Sequence, residues 1–193
     1  MSCVLLLSAC WGVGCTATET RPANARAELL RGWEAIERSA ARAGRGTEAQ
    51  VQELLAALQR LETEEIVAFD VFLNEQLQRA YRWDLWAVAY LAMGGCSDDS
   101  FLYFRAWLIA QGEEYFEAAL KDPPSAALAI QPGDRPGLES LLYVAAKAHE
   151  AVAGRALPHS STRPIQREPA GIEWEESEVH LLYPELARRF RQR

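Results

Sequence analysis

The length, composition and charge of the chain limit both its architecture and its partners. With 193 residues, of which 49% are hydrophobic, it is long enough for one sizeable core and too short for two ordinary domains. Its 27 acidic residues outnumber its 20 basic ones, and the formal net charge of -7 disfavours nucleic acid and anionic membrane surfaces as partners.

Residues 1–20 form a predicted leader. Residues 4–10 read VLLLSAC, which resembles a bacterial lipoprotein box and implies lipidation of Cys10 after removal of residues 1–9. This apolar stretch is shorter than the usual signal region of about 7 to 15 residues, and no Lys or Arg precedes it. A lipid anchor in the cell envelope is the favoured interpretation, and an extension of a cytoplasmic protein is the alternative. No apolar run approaches the roughly 18 to 20 residues that a transmembrane helix requires.

Residues 21–153 are predicted to form the helical core of one all-α, orthogonal-type domain with about seven to nine helices. Apolar residues recur there at three- and four-residue spacing, the period of amphipathic helices with one buried stripe. Segment 84–93 is apolar nearly all round, which favours a central position. The predicted helices cover 25–43, a segment capped by Thr47, a segment from Thr63, 84–93, a segment from the N-cap Ser97 to Ala110, 113–120 and 138–152.

Residues 154–193 are predicted to form a proline-containing linker and a C-terminal helix that packs on the core. Between Arg155 and Gly171 the sequence has three prolines and no hydrophobic periodicity, which indicates a solvated linker or a surface strap. Pro184 suits the first turn of a final basic helix. No alternation of useful length predicts a β-strand.

Two charged residues fall on the apolar stripes of predicted helices. Asp70 lies on the stripe of the third helix and Arg105 on that of the fifth. Because an unpaired buried charge is too costly to keep, we expect Asp70 to meet Arg105, or alternatively Arg82, across a helix interface. Such a pair is interpreted as a structural contact that sets helix register, and the alternative is an arginine that grips a ligand.

Two adjacent carboxylates, Asp98 and Asp99, follow the predicted N-cap Ser97. They can complement the positive end of the helix dipole, or they can bind a metal or act in acid/base chemistry beside Cys96. Capping is the simpler interpretation. The same carboxylates oppose a lowered thiol pKa, so Cys96 is not predicted to be a nucleophile.

A distinctive block comprises residues 82–86 (RWDLW), 94–101 (GGCSDDSF) and 104–109 (FRAWLI). The block resembles the bacterial domain-of-unknown-function family DUF4240. The resemblance covers most of the chain beyond the leader, and it implies no established activity, cofactor or catalytic residue. Outside the block it extends to Trp33, Ile66, Phe69, Asp70, Glu139, Leu142, Tyr143, Tyr183 and Pro184.

The same block supplies a candidate binding site. An aromatic-walled cleft with charged groups at its base would bind a small polar ligand, although aromatic residues at helical spacing are also typical of a core. The candidate ligand-binding residues are Arg82, Asp84, Trp86, Asp98, Asp99, Arg105 and Trp107.

Two functions remain as hypotheses. The first is a non-catalytic binding or regulatory module that recognises a protein or a small polar ligand near the Arg82–Trp107 block, and the acidic surface suits a basic partner. The alternative is a metal-assisted hydrolase that uses Asp84, Asp98 and Asp99, which would have to converge in a concave pocket. Because no ligand spacing or nucleophile motif is present, no catalytic residue, metal or cofactor is predicted.

Overall fold

The computed structural model describes residues 23–158 and 168–191, with side chains described from residue 31 onward. Within these ranges the chain forms nine α-helices and two short 3₁₀ helices, with no β-strand, which confirms the prediction of one all-α domain. The predicted lipidation site at Cys10 lies outside the described residues. The α-helices are α1 (Ala23–Ala43), α2 (Glu48–Leu58), α3 (Thr63–Arg79), α4 (Trp83–Met93), α5 (Asp98–Ala110), α6 (Glu113–Lys121), α7 (Val144–Ala153), α8 (Val179–Leu182) and α9 (Pro184–Phe190).

Helix α5 occupies the centre of the core. It contacts α1, α3, α4, α6 and the 3₁₀ helix at Glu139–Tyr143. Its residues from Phe104 to Ala110 are all buried, so this helix is enclosed on every side over two turns. Helix α4, which was predicted to be central, is also largely buried, and it is covered on its outer side by α8, α9 and the 3₁₀ helix at Pro123–Ala127. Among the described residues, no helix is both long and apolar enough to cross a membrane.

Local capping signals begin two of the helices as predicted. The hydroxyl oxygen of Thr47 accepts a hydrogen bond from the backbone N–H of Gln50 at 3.1 Å, and that of Ser97 accepts one from Ser100 at 3.3 Å. Each bond satisfies an N–H group that has no partner within its own helix. The starts of α2 and α5 are therefore determined by residues adjacent in sequence.

A buried glutamine joins α1, α2 and α5. The side-chain amide of Gln50 donates hydrogen bonds to the carbonyl oxygens of Ile36 at 3.3 Å and Ala110 at 3.1 Å. Its amide oxygen accepts from the N–H of Gly46 at 2.7 Å. Because a buried amide without partners is destabilising, these bonds favour the observed packing of the three helices over alternatives.

The C-terminal region differs from the prediction in detail. Residues 138–152, which were predicted to form one helix, form a 3₁₀ helix followed by α7, and the N–H of Leu138 at the start of this segment donates to the carbonyl oxygen of Tyr103 at 3.0 Å. Residues 168–178, here called the C-terminal strap, run against the connection between α3 and α4. Ala170 bonds to Tyr81 and Trp83 through two backbone hydrogen bonds of 2.9 Å, which hold the strap on the core.

Substitution of Gly32 tests the packing of α1 against α3. A methyl group on Gly32 would lie 2.3 Å from the ring of Phe72, whereas alanine in an open helix position stabilises the helix by about 1 kcal/mol. We expect Gly32→Ala to lower the free energy of unfolding by about 1–3 kcal/mol in urea denaturation, because the ring must move. In a Phe72→Leu background the same change should be neutral or stabilising. A gain in stability from Gly32→Ala alone would contradict this close contact.

Candidate functional site

The predicted ion pair between Asp70 and Arg105 is wrong. Among the described residues no salt bridge involves Asp70, whose carboxylate accepts a hydrogen bond from the side-chain amide of Asn74 at 3.1 Å. Asp70 is only partly buried, at the edge of the apolar stripe of α3, so it needs no buried cation. Burial raises its pKa and the bond from Asn74 lowers it, with burial the larger effect. The alternative pair with Arg82 is also wrong, since Arg82 binds Asp84.

Arg105 is buried, as predicted from its position, but aromatic rings surround its guanidinium instead of a carboxylate. The guanidinium carbon lies 4.5 Å from the ring centre of Tyr81 and 5.1 Å from that of Phe101. Its Nη1 donates a hydrogen bond to the carbonyl oxygen of Leu77 at 2.9 Å, while its buried Nε has no hydrogen-bond partner. Burial lowers the pKa of Arg105 to about 10, against the opposing effects of Tyr81 and Asp98. Arg105 is therefore a positively charged residue buried within the hydrophobic core.

Arg82 and Asp84 neutralise each other at the start of α4. The Nε of Arg82 donates to Asp84 Oδ1 at 3.0 Å, and Nη2 donates to Oδ2. Arg82 Nη1 also donates to the carbonyl oxygen of Leu120 at 2.8 Å, and Asp84 Oδ1 accepts from the N–H of Leu85. Both charged groups are thus committed to contacts within the chain, which ties α4 to the end of α6.

Asp98 and Asp99 lie exposed in the first turn of α5, where they complement the helix dipole. Within the part of the chain that the structure describes, no group of three or more His, Cys, Asp or Glu residues can hold a metal ion.

The neighbouring Cys96 is partly buried. Burial raises the pKa of its thiol to about 12; the contact with Trp86 opposes this effect, and the charge of Asp98 adds a smaller increase. A thiol with that pKa is a poor nucleophile at neutral pH.

The predicted residues Trp86 and Trp107 lie at different places in one row of aromatic rings. Trp86 stacks on Trp83 at 5.2 Å between ring centres and on Phe101 at 4.9 Å. The row continues from Phe101 to Phe104 at 6.3 Å and from Phe104 to Trp107 at 5.6 Å. We call these five residues the aromatic row. Because the row passes through the core along α5, Trp107 is buried away from the surface that Trp86 reaches.

Trp174, which sequence reasoning missed, completes the surface end of this row. Its indole Nε1 donates a hydrogen bond to the carbonyl oxygen of Trp83 at 2.7 Å. Its ring meets those of Trp83, Trp86 and Tyr90 edge-on, at 5.7, 6.4 and 5.3 Å. All four side chains are partly exposed, and together we call them the aromatic face. A tryptophan within a glutamate-rich, non-periodic segment was the signal that could have indicated Trp174.

Acidic residues border the aromatic face. The C-terminal strap contains five glutamates and no Lys, Arg or His, and four of the glutamates lie within residues 173–178 and are exposed. Glu173 and Glu175 flank Trp174 in sequence, and the hydroxyl of Tyr90 donates a hydrogen bond to Glu176 at 3.1 Å. Burial raises the pKa of Tyr90, and this bond and the charge of Glu176 raise it further. The arrangement combines exposed aromatic surface with negative charge.

Comparison with known proteins identifies the family. The sequence profile described as "Protein of unknown function (DUF4240)" matches residues 31–151, more than half of the chain, so the chain belongs to this family. The match includes α4, α5 and three of the four residues of the aromatic face, and it ends before the C-terminal strap. No curated protein and no solved structure shows significant similarity to the chain.

The environment of Asp70 predicts how stability changes with pH. Because the folded state binds the Asp70 proton more tightly than the unfolded chain does, this group stabilises the fold at low pH. That contribution is lost as the pH rises from the ordinary value of 3.8 through the raised pKa. Asp70→Asn should therefore become progressively more stable relative to the unmodified chain over this interval and remain so at neutral pH. Thermal unfolding across the acidic range measures this difference. A neutral-pH loss of stability in Asp70→Asn would instead indicate a paired carboxylate.

Proposed function

We propose that this member of the DUF4240 family is a non-catalytic binding module whose aromatic face takes a basic, Lys/Arg-containing segment of a protein partner. The observation that carries the proposal is the cluster of Trp83, Trp86, Tyr90 and Trp174, partly exposed beside exposed glutamates. Tryptophan, tyrosine and arginine are the residues that contribute most binding energy at protein interfaces.

Two forces would act together on a basic segment. Guanidinium and ammonium groups bind to the faces of aromatic rings, and tryptophan binds them best. The glutamates of the strap add attraction, and the formal net charge of -7 steers cationic groups toward the molecule. A small polar ligand at this block is less well supported, because Arg82 and Asp84 satisfy each other and Arg105 is enclosed in the core.

The hydrolase alternative is not favoured by any feature of the described residues. Both oxygens of Asp84 bond to Arg82, so this carboxylate is not available to activate water or to hold a metal. Asp98 and Asp99 are exposed at a helix end that Ser97 caps. Metal-assisted hydrolysis requires open coordination positions among convergent ligands.

Binding of an octa-arginine peptide to the full chain tests the proposal. Tryptophan fluorescence and calorimetry should show saturable binding that weakens with salt, because part of the attraction is electrostatic. Trp174→Ala should weaken binding by about tenfold or more, the effect expected of a central aromatic contact. Glu175→Gln/Glu176→Gln should weaken it several-fold through the loss of two charges.

The matched control is Glu113→Gln/Glu114→Gln, which removes an adjacent glutamate pair from the start of α6 and should bind the peptide as the unmodified chain does. Circular dichroism and melting temperatures establish that each variant is folded. Equal weakening by the two double variants would show that the peptide responds only to net charge, and the proposal would then be wrong.

We also propose that Cys10 carries a lipid that tethers the module to the cell envelope, with support from the LSAC sequence at residues 7–10. Diacylated or triacylated cysteine would anchor the chain far more firmly than one acyl group. Mass analysis of the protein extracted from its native host should find a modified cysteine at the N-terminus. An intact, unlipidated Met1 terminus would rule out the anchor and favour the cytoplasmic alternative.

A further inference from the structure

A cleft between α1, α2 and the start of α3 lies on different helices from the aromatic face. Its volume is about 400 Å³, within the range of about 300–1,000 Å³ that is typical of small-molecule sites. The matched family region, residues 31–151, contains every residue that lines it. The size suits a small molecule.

The floor of the cleft is apolar. Leu58 and Phe69 are almost fully buried at 1% and 5% exposure, and Ala35 and Ala57 lie beside them. Leu61 is 37% exposed and belongs to the same lining. An apolar group that entered the cleft would displace water mainly from Leu61 and from the partly buried Ala35 and Ala57, which favours binding.

The rim of the cleft carries charge of both signs with an excess of cations. Four arginines and three glutamates line it, which gives the cleft a net positive charge on a protein whose overall charge is negative. Arg38 forms an ion pair with Glu34, and Arg42 forms one with Glu53 at 3.6 Å. Two arginines and one glutamate of the lining take part in neither of these ion pairs.

The remaining three charged groups differ in their partners. The carboxylate of Glu65 accepts a hydrogen bond from the backbone N–H of Glu62 at 3.2 Å, as part of the cap of α3. For Arg31 and Arg60, no described carboxylate lies within 4.0 Å of the guanidinium nitrogens. The cleft therefore presents two arginines without a described ion pair above an apolar floor.

We propose that this cleft binds a small amphipathic anion, with a carboxylate head group held by Arg31 and Arg60 and an apolar body against Leu61, Ala35 and Ala57. Planar guanidinium groups match the two oxygens of a carboxylate and bind it with charge-assisted hydrogen bonds. The site is independent of the proposed basic partner, since the two ligands have opposite charge and occupy different helices.

Calorimetric titration of the full chain with decanoate tests the site, with decylamine and decanol as probes of the same apolar length. Saturable binding of one decanoate per chain is expected, with decanol weaker and decylamine weakest. Arg31→Gln and Arg60→Gln should each weaken decanoate binding by about tenfold, because each removes a charge-assisted contact while leaving an exposed polar side chain. Arg135→Gln is the matched control, since Arg135 is an exposed arginine outside the cleft, and it should leave the Kd unchanged.

Leu61→Glu provides a second variant that tests the apolar body of the ligand. It places a carboxylate at a partly exposed position of the lining, so the fold should tolerate it while decanoate binding is lost. Three results would overturn the proposal: no saturable binding of decanoate, binding of decylamine as tight as that of decanoate, or unchanged affinity in the folded Arg31→Gln and Arg60→Gln variants.

Discussion

The ring of Phe101 joins the buried cation of Arg105 to the aromatic surface, and the arrangement of both depends on this contact. The ring is completely buried, with the Arg105 guanidinium 5.1 Å from its centre and Trp86 stacked on it at 4.9 Å. A cation that loses its hydration needs electron-rich surroundings, and aromatic faces supply them without a second charge. Because the same ring supports Trp86, the buried charge and the exposed tryptophans form one packed unit.

The strap extends this unit to the surface. Trp174 packs edge-on against the outer rings, and the backbone bonds of Ala170 hold the segment against the α3–α4 connection. The strap therefore adds both an aromatic side chain and a row of carboxylates to a surface built by α4. The cleft between α1, α2 and α3 has the opposite character, with arginines above an apolar floor. One small domain thus presents two surfaces whose charge and shape suit different classes of ligand.

Much of the helical structure was predictable because its causes are local. Thr47 and Ser97 cap their helices through bonds to residues three positions ahead, and the apolar period reports which face of each helix is buried. The same period correctly indicated that Arg105 is buried. It did not indicate a partner, since the faces of Tyr81 and Phe101 replaced the expected carboxylate of Asp70. The apolar period of a helix indicates which of its side chains face the core. It does not indicate which residues of another helix those side chains will contact.

The sequence by itself determined the all-α class, the starts of α2 and α5, the family membership that the central block suggested and, among the described residues, the absence of a helix that could span a membrane. Only the tertiary structure decided which predicted site residues meet: Arg82 with Asp84, Trp86 with Trp83 and Phe101, and Trp107 on the far side of the core. It also brought Trp174 to Trp83 across 91 residues. The physical reason is that capping and amphipathicity act over one or two turns, whereas ring stacking and charge pairing depend on how distant segments pack.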